Sequence, residues 1–363
     1  MDMRSTSNPF GGFPVELNRL VKRCRDRGID FAGMQSAPAV EMSLGEGGFD
    51  SAASRLAGDE EIQRLEGLIV AKPVPRVNNS KLRYFLDGAQ QTLPIGRLGH
   101  VPIYLSLTVA GILQRDESGE CALVPGTLRL QRCWIVPEGI DSEDSRYLCE
   151  SLRGIGGTVV DPLKRHYQEP GLYRRAASDY IQIEKRALQA TNDERAGLEE
   201  DLLEHWALTL SGGDGWIVVD GQLRLAVPNA VGLVKSFTYQ YFTGAEATAL
   251  YSLPPGHRSS AFVSANQYRQ RTGDTRERTL WYLRFHNADG LDARHGLIRL
   301  EAAPDFVEPE RIDELSAWLL AERAPRATAD ARWDSLIYPI HLLERMLKNR
   351  VAHETRSWPG ARR

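Results

Sequence analysis

Two apolar runs in this sequence each lead into Asp-Gly: Tyr84-Phe85-Leu86 into Asp87-Gly88, and Trp216-Ile217-Val218-Val219 into Asp220-Gly221. Short apolar runs bounded by turn residues read as buried strands. Ligands of α/β sheets gather at the carboxyl ends of such strands. An aspartate there can reach a metal ion, and the following glycine lets the chain turn without a Cβ clash. Two such aspartates on adjacent strands offer hard oxygen ligands suited to Mg2+ or Mn2+. Sites of this kind cleave phosphodiesters by activating water and stabilising the attacking and leaving oxygens. Strand-Asp-Gly is also an ordinary turn signal, so either occurrence alone has a structural reading.

Basic residues add a second layer. Lys235 follows the apolar run Val231–Val234, where its cation could contact a phosphate or pair with a carboxylate of the site. Arg258 and Arg284 are further candidates for phosphate contact. The stretch 269–278 carries four arginines; it reads as a solvated loop that could touch a DNA backbone.

The elements that must position these groups follow from periodicity. Leu17, Leu20, Val21 and Cys24 predict a helix over Pro14–Arg27, and a second short helical pattern runs from Asp59 to about Leu68. Strands are expected around 84–86, 101–113 and 123–136, with a turn near 94–99, as an antiparallel start to a mixed sheet. Gly171 to Leu208 predicts helix, broken near Asn192-Asp193, before the strand Trp216–Val219. Further strands are expected within 230–242, 261–263, 279–286 and 296–301, with closing helices over Glu308–Ala321 and from Asp334 to about Arg350. The expected organisation is a helical and connector region over 1–80, one α/β domain over 81–350, and a polar tail over 351–363.

Composition narrows the class. The chain has 363 residues, 42% hydrophobic and 26% charged, an ordinary balance able to bury a sizeable core. No apolar run is long enough to cross a membrane, and Met1–Asn8 is polar, without a signal-peptide core. Cys24, Cys121, Cys133 and Cys149 lack zinc spacing and fit reduced thiols in a cytoplasmic protein. A net charge of −3 is low for a protein held on DNA by charge alone. Basic residues concentrated in one channel, or grip borrowed from a partner, would reconcile the two. No P-loop pattern is present, so the chain is not itself a nucleotide-driven motor of that kind.

A family resemblance joins these features. Arg83–Gln90 resembles the first-strand "DGS"-type motif of NurA nucleases, with Ala89 where the family commonly has Ser. Trp216–Leu223 is similar to the family's second acidic strand, a hydrophobic run into "DGxL", and Val231–Ser236 to the "vGvvKs" segment after it. Trp281–Arg284 and Gly296–Glu301 resemble late strands of bacterial members, and Tyr338-Pro339 the "YP" element opening the closing helix. The similarity runs in order over about 83–350, roughly three-quarters of the chain. No single motif is highly specific; the ordered series carries the resemblance.

The resemblance implies an RNase H-like core of the kind found in Argonaute Piwi domains, a mixed sheet flanked by helices, here with a helical N-terminal extension. It makes Asp87 and Asp220 the principal carboxylates for Mn2+ or Mg2+. A further glutamate is expected on the preceding helix; Glu199 and Glu200 lie about 20 residues before Asp220, with Glu184 in reserve. The same helix carries Glu194, Asp201 and Glu204, so this charge run also reads as a solvated face. The family's closing-helix histidine has a loose counterpart in His341, because its usual place falls near Arg345 or Met346. Asp334 is an alternative carboxylate that would also suit a helix N-terminus.

The implied activity is exonuclease trimming of DNA ends and endonuclease cleavage of single strands. The implied assembly is a homodimer docked on a hexameric HerA-type ATPase, in DNA repair or anti-phage defence. Two other classes stay open: a catalytically silent adaptor of a translocase, to which Ala89 and the displaced histidine point, and a different metal-dependent phosphoester hydrolase or phosphotransferase.

Overall fold

The computed structural model describes residues 13–29, 31–33, 55–56, 62–77, 80–140, 142–237, 239–265, 277–289, 291–323 and 333–358. Helix α1 (Phe13–Asp26) buries Leu17, Leu20 and Cys24 at the spacing of one helical face. Short strands follow: β1 (Phe31–Gly33), β2 (Arg55–Leu56), β3 (Ile62–Arg64) and β4 (Ala71–Pro73). The helix expected from Asp59 to Leu68 is therefore corrected to a strand and bends; 59–61 lie outside the described residues. A segment this short gains little from a helix nucleus. Pairing with another strand satisfies its backbone instead.

The central hairpin is β5 (Leu82–Leu98) and β6 (Val101–Arg115), joined at Gly99 with φ 59°. The turn expected near 94–99 is narrower than predicted, because β5 absorbs Pro94 at an irregularity before Gly96 and runs on to Leu98. Next come β7 (Cys121–Leu123), β8 (Arg129–Ile135), α2 (Glu143–Gly154) and β9 (Thr158–Val160). Helices α3 (Pro170–Ala177) and α4 (Tyr180–Thr209) follow. The helical stretch thus breaks at Ser178-Asp179, not at Asn192-Asp193. Asp179 caps α4, its carboxylate accepting from Ile181 N and Gln182 N.

The chain continues through β10 (Trp216–Asp220), β11 (Ala230–Val234), β12 (Tyr239–Gln240), α5 (Gly244–Tyr251), β13 (His257–Ser259) and β14 (Phe262–Ala265). It closes with β15 (Glu277–Arg284), β16 (Leu297–Ala302), α6 (Pro309–Glu322), a 3-10 turn at Trp333–Ser335, and α7 (Tyr338–Thr355). The last helix starts at Tyr338, not Asp334. It continues to Thr355, and Trp358 beyond it is buried.

A mixed sheet of 14 strands runs in the order β3-β14-β15-β16-β11-β10-β5-β6-β8-β9, with β1, β4, β7 and β13 attached beside that path. β5, β6 and β8 are antiparallel neighbours; β10 runs parallel to β5, and β11 parallel to β10. The N-terminal connector is woven into this sheet: β1 pairs with β5, β3 with β14 and β4 with β13.

Side chains alternate between the two faces. Phe85, Ala89, Val218 and Leu233 join Leu343, Leu347 and Val351 of α7 in one core. Leu86, Ile112, Ile217 and Val219 join Leu202, Leu203 and Trp206 of α4 in another. The fold is mixed α/β, its sheet flanked by helices. No described helix is long and apolar enough to cross a membrane.

Candidate active site

Asp87 and Asp220 come together. Val219 pairs with Leu86 on the parallel neighbour, so the next residues, Asp220 and Asp87, lie level with one another. Alternation turns both toward the α7 face, in step with Phe85 and Val218.

The two Asp-Gly pairs nonetheless differ. Asp220-Gly221 ends its strand in a turn, with Gly221 at φ 109°. Asp87-Gly88 does not: β5 passes straight through it, and Gly88 pairs with Ala110. Gly88 is needed for a different reason. A Cβ there would collide with Glu199 Oε1 and come within 2.9 Å of Arg195 Cγ. The missing side chain lets α4 bring this carboxylate and this guanidinium close against its own face of the sheet, across from the face that carries the Asp87 side chain.

Asp87 is 4% exposed. Its Oδ1 accepts from Gly88 N at 2.7 Å, while Oδ2 is buried without a hydrogen-bond partner among the described residues. Burial, then the Asp220 carboxylate, pushes the Asp87 carboxyl well above its usual range; Glu199 and Glu344 add to this and Lys235 opposes it. Asp220 Oδ2 accepts from Lys235 Nζ at 2.7 Å in a largely buried pair. Lys235 thus pairs with a carboxylate, the second of its two sequence readings.

Of the two helix glutamates, Glu199 is the one whose charge reaches Asp87, though from the α4 face of the sheet. It is buried and bonded to Arg195, which also donates to Gln90 Oε1 at 3.1 Å and Asn192 Oδ1 at 2.9 Å. Burial raises the Glu199 carboxyl, and the opposing Arg195 and Arg224 do not cancel it. For Arg195, burial alone would lower the pKa, but Glu199, Asp87 and Asp220 together hold it above its ordinary value. Glu200 pairs with Arg224 at 3.6 Å.

Sequence reasoning missed Arg195 and Glu344. Glu344 lies on α7, is buried, pairs with Lys348 at 2.8 Å, and raises the proton affinity of Asp87. The available signal was a lone glutamate inside the apolar face Ile340-Leu343-Leu347. His341 precedes it by one helical turn, with Nδ1 buried and unpartnered among the described residues. Glu184 lies toward the opposite end of α4, near Tyr104.

Several expectations are corrected. Arg258 is 1% exposed and committed to Glu66 and Asp313. Arg284 is equally buried and donates to the carbonyls of Leu253, His295, Tyr251 and Ala293. Both are internal struts, because a guanidinium has enough donors to gather several loop carbonyls. Asp334 accepts from Gly296 N and lies 3.3 Å from His295 Nδ1, tying down a turn. Of the four arginines in 269–278, Arg269, Arg271 and Arg276 lie outside the described residues; Arg278 is wholly buried, not solvated.

The donor chemistry suits a hard divalent cation. Asp87 presents an uncommitted, buried carboxylate oxygen beside a second aspartate. Lys235 and Arg195 occupy part of the remaining capacity. Among the described residues, no group of three or more His, Cys, Asp or Glu is gathered in a form that could hold a metal ion. The cysteines offer no alternative: burial raises Cys24 and Cys133 to about 11 and Cys149 to about 12. No protein-family model and no curated protein matches this chain.

Proposed function

We propose that this chain is a metal-dependent DNA nuclease of NurA type with an RNase H-like core, whose principal carboxylates are Asp87 and Asp220. One observation carries the reading: the buried, unpartnered Oδ2 of Asp87, level with Asp220 and under repulsion from Asp220, Glu199 and Glu344. Lys235 and Arg195 are committed to Asp220 and Glu199, so the Asp87 oxygen is left without a cation of its own, a charge a divalent ion would supply. The strand order adds support. Antiparallel β5, β6 and β8, the long helix α4, and parallel β10 and β11, with acids on β5 and β10, are elements such a core would use; β7, α2, β9 and α3 are additions to it.

Asp87 and Asp220 would hold Mn2+ or Mg2+, with Glu199 contributing charge from the α4 face of the sheet. A bound ion lowers the pKa of water and neutralises phosphate charge. The chain's own groups complete the chemistry. Lys235 Nζ, adjacent to Asp220, is placed to donate to a phosphate oxygen as charge builds there. Arg195 keeps Glu199 oriented over Gly88. A homodimer docked on a HerA-type hexameric ATPase would receive DNA from the motor, which accounts for the chain's near-neutral charge. On this reading the protein would act in the cytoplasm, in DNA end processing or anti-phage defence.

The test is cleavage of end-labelled single- and double-stranded DNA with Mn2+, Mg2+ or EDTA, comparing wild type with Asp87→Ala and Asp220→Ala. Each protein is assayed alone and with a HerA-type ATPase. Metal-dependent cleavage that falls by about 10³-fold or more in both variants is expected. A second reading, the silent adaptor, is favoured by the capture of Asp220 by Lys235 and of Glu199 by Arg195. Wild type that binds the ATPase yet leaves DNA intact in every metal would replace the nuclease with that adaptor.

A further inference from the structure

Behind the Asp220 turn lies a buried charge cluster outside the carboxylate site. After Gly221 the chain folds back over β11 at Gly232, where a Cβ would lie 2.7 Å from Leu223 N and 2.8 Å from Gly221 O. Glu301 stands next to Gly232 on the neighbouring strand β16. Its Oε2 accepts from Leu223 N at 3.0 Å, and its Oε1 accepts from Arg299 at 2.7 Å. From β15, Arg278 Nε donates to Leu223 O at 2.8 Å and a terminal nitrogen to Arg224 O at 2.8 Å. Glu301, Arg299 and Arg278 are all almost fully buried.

Two strands, β15 and β16, therefore send charged side chains to grip both backbone groups of Leu223 and the carbonyl of Arg224, with Arg299 bracing Glu301. Burying such ions is costly, and apolar residues of similar volume commonly stabilise a core as well. What apolar residues cannot do is fix the position of a turn through its backbone. This turn carries Asp220 at its start and Arg224, the partner of Glu200, at its end.

We propose that Glu301, held by Arg299 and backed by Arg278, is a positioning residue that clamps turn 221–224 and thereby sets the Asp220 carboxylate beside Asp87. The inference rests on the nuclease reading. Outer groups that orient a metal-binding carboxylate typically alter metal affinity by about 10- to 100-fold.

The test compares Glu301→Leu with Glu301→Gln, since Gln keeps an oxygen for Leu223 N–H and Leu does not. In Glu301→Leu, amide exchange at 221–224 should accelerate selectively. Mn2+ affinity, read by titration calorimetry, should fall by about 10-fold or more. DNA cleavage should lose kcat with little change in KM, and Glu301→Gln should recover most of each loss. Should Glu301→Leu fail to fold, Arg278→Lys gives the same readouts, because it keeps the charge but loses the fork onto two carbonyls. Folded variants with wild-type exchange at 221–224 and wild-type Mn2+ affinity overturn the clamp. If wild-type protein neither binds Mn2+ nor cleaves DNA, the nuclease reading fails, and exchange at 221–224 still decides whether the clamp exists.

Discussion

Two buried charge networks in this molecule are built on opposite plans. Around Arg258, two carboxylates, Glu66 and Asp313, meet two cations, Arg258 and Lys72. Around Asp87, the aspartate itself has no cation within hydrogen-bonding reach among the described residues, while its acidic neighbours Asp220, Glu199 and Glu344 hold the nearby cations Lys235, Arg195 and Lys348. In the first network Glu66 is lowered from an ordinary 4.5 to about 2: burial pushes it upward, but hydrogen bonds from Arg258 and Lys72 outweigh that. In the second, burial and Asp220 outweigh Lys235, Glu199 and Glu344 add to them, and Asp87 is raised. A matched network ties the connector's Glu66 to α6 and stabilises the fold. A mismatched one stores electrostatic cost, which a protein retains where it has a use for it.

The largest effect on stability is expected from Arg258→Met, which removes the fork on Glu66 and Asp313 and leaves the buried Glu66 to Lys72 and the Ala261 amide alone. Loss of about 3–5 kcal/mol is expected in denaturant titration. If the loss is under about 1 kcal/mol, the Arg258 network is not the strut described. The same network should dominate part of the acid limb. A carboxyl whose folded pKa is depressed contributes stability that is present above its unfolded value near 4.5 and lost as pH falls toward 2. Wild type should lose on the order of 3 kcal/mol across that window through Glu66. Glu66→Gln should show a flatter pH dependence there in calorimetry.

The Asp87 cluster should respond with the opposite sign. Because its folded pKa is raised, ionisation opposes folding as pH climbs from the ordinary aspartate range through the folded value. Asp87→Asn removes that penalty and should raise metal-free stability at neutral pH while abolishing cleavage. A lower melting temperature for Asp87→Asn would show that Asp87 supports the fold, erasing the contrast between the networks.

How much could be read in advance varied by residue. The strands of Asp87 and Asp220 were legible because short apolar runs bounded by turn residues have few other solutions. The role of Gly88 was misread. Its value lies in the approach of α4, a packing fact invisible to a local turn rule. The start of α4 was mistaken by a dozen residues, although Ser178-Asp179 is an ordinary capping signal; the polar Asn192-Asp193 pair looked more like a break. In fact Asn192 sits on a helix face where it bonds Arg195, and Asp193 pairs with Arg165. Helix α2 was overlooked even though Leu148, Cys149 and Leu152 mark its buried face. Arg258 and Arg284 looked like phosphate contacts because charge type is visible in sequence and burial is not.

The sequence by itself determined that two acidic strand segments exist, that a long helix precedes the second, and that a lysine follows the next strand. These are local matters, governed by apolar periodicity and turn chemistry. Only the tertiary structure decided that β5 and β10 are parallel neighbours in the register that levels Asp87 with Asp220. The same packing chose Glu199 over Glu200, added Arg195 and Glu344, and turned two arginines inward. Each of these depends on which faces meet across the sheet, and long-range pairing of that kind leaves no spacing along the chain by which to read it.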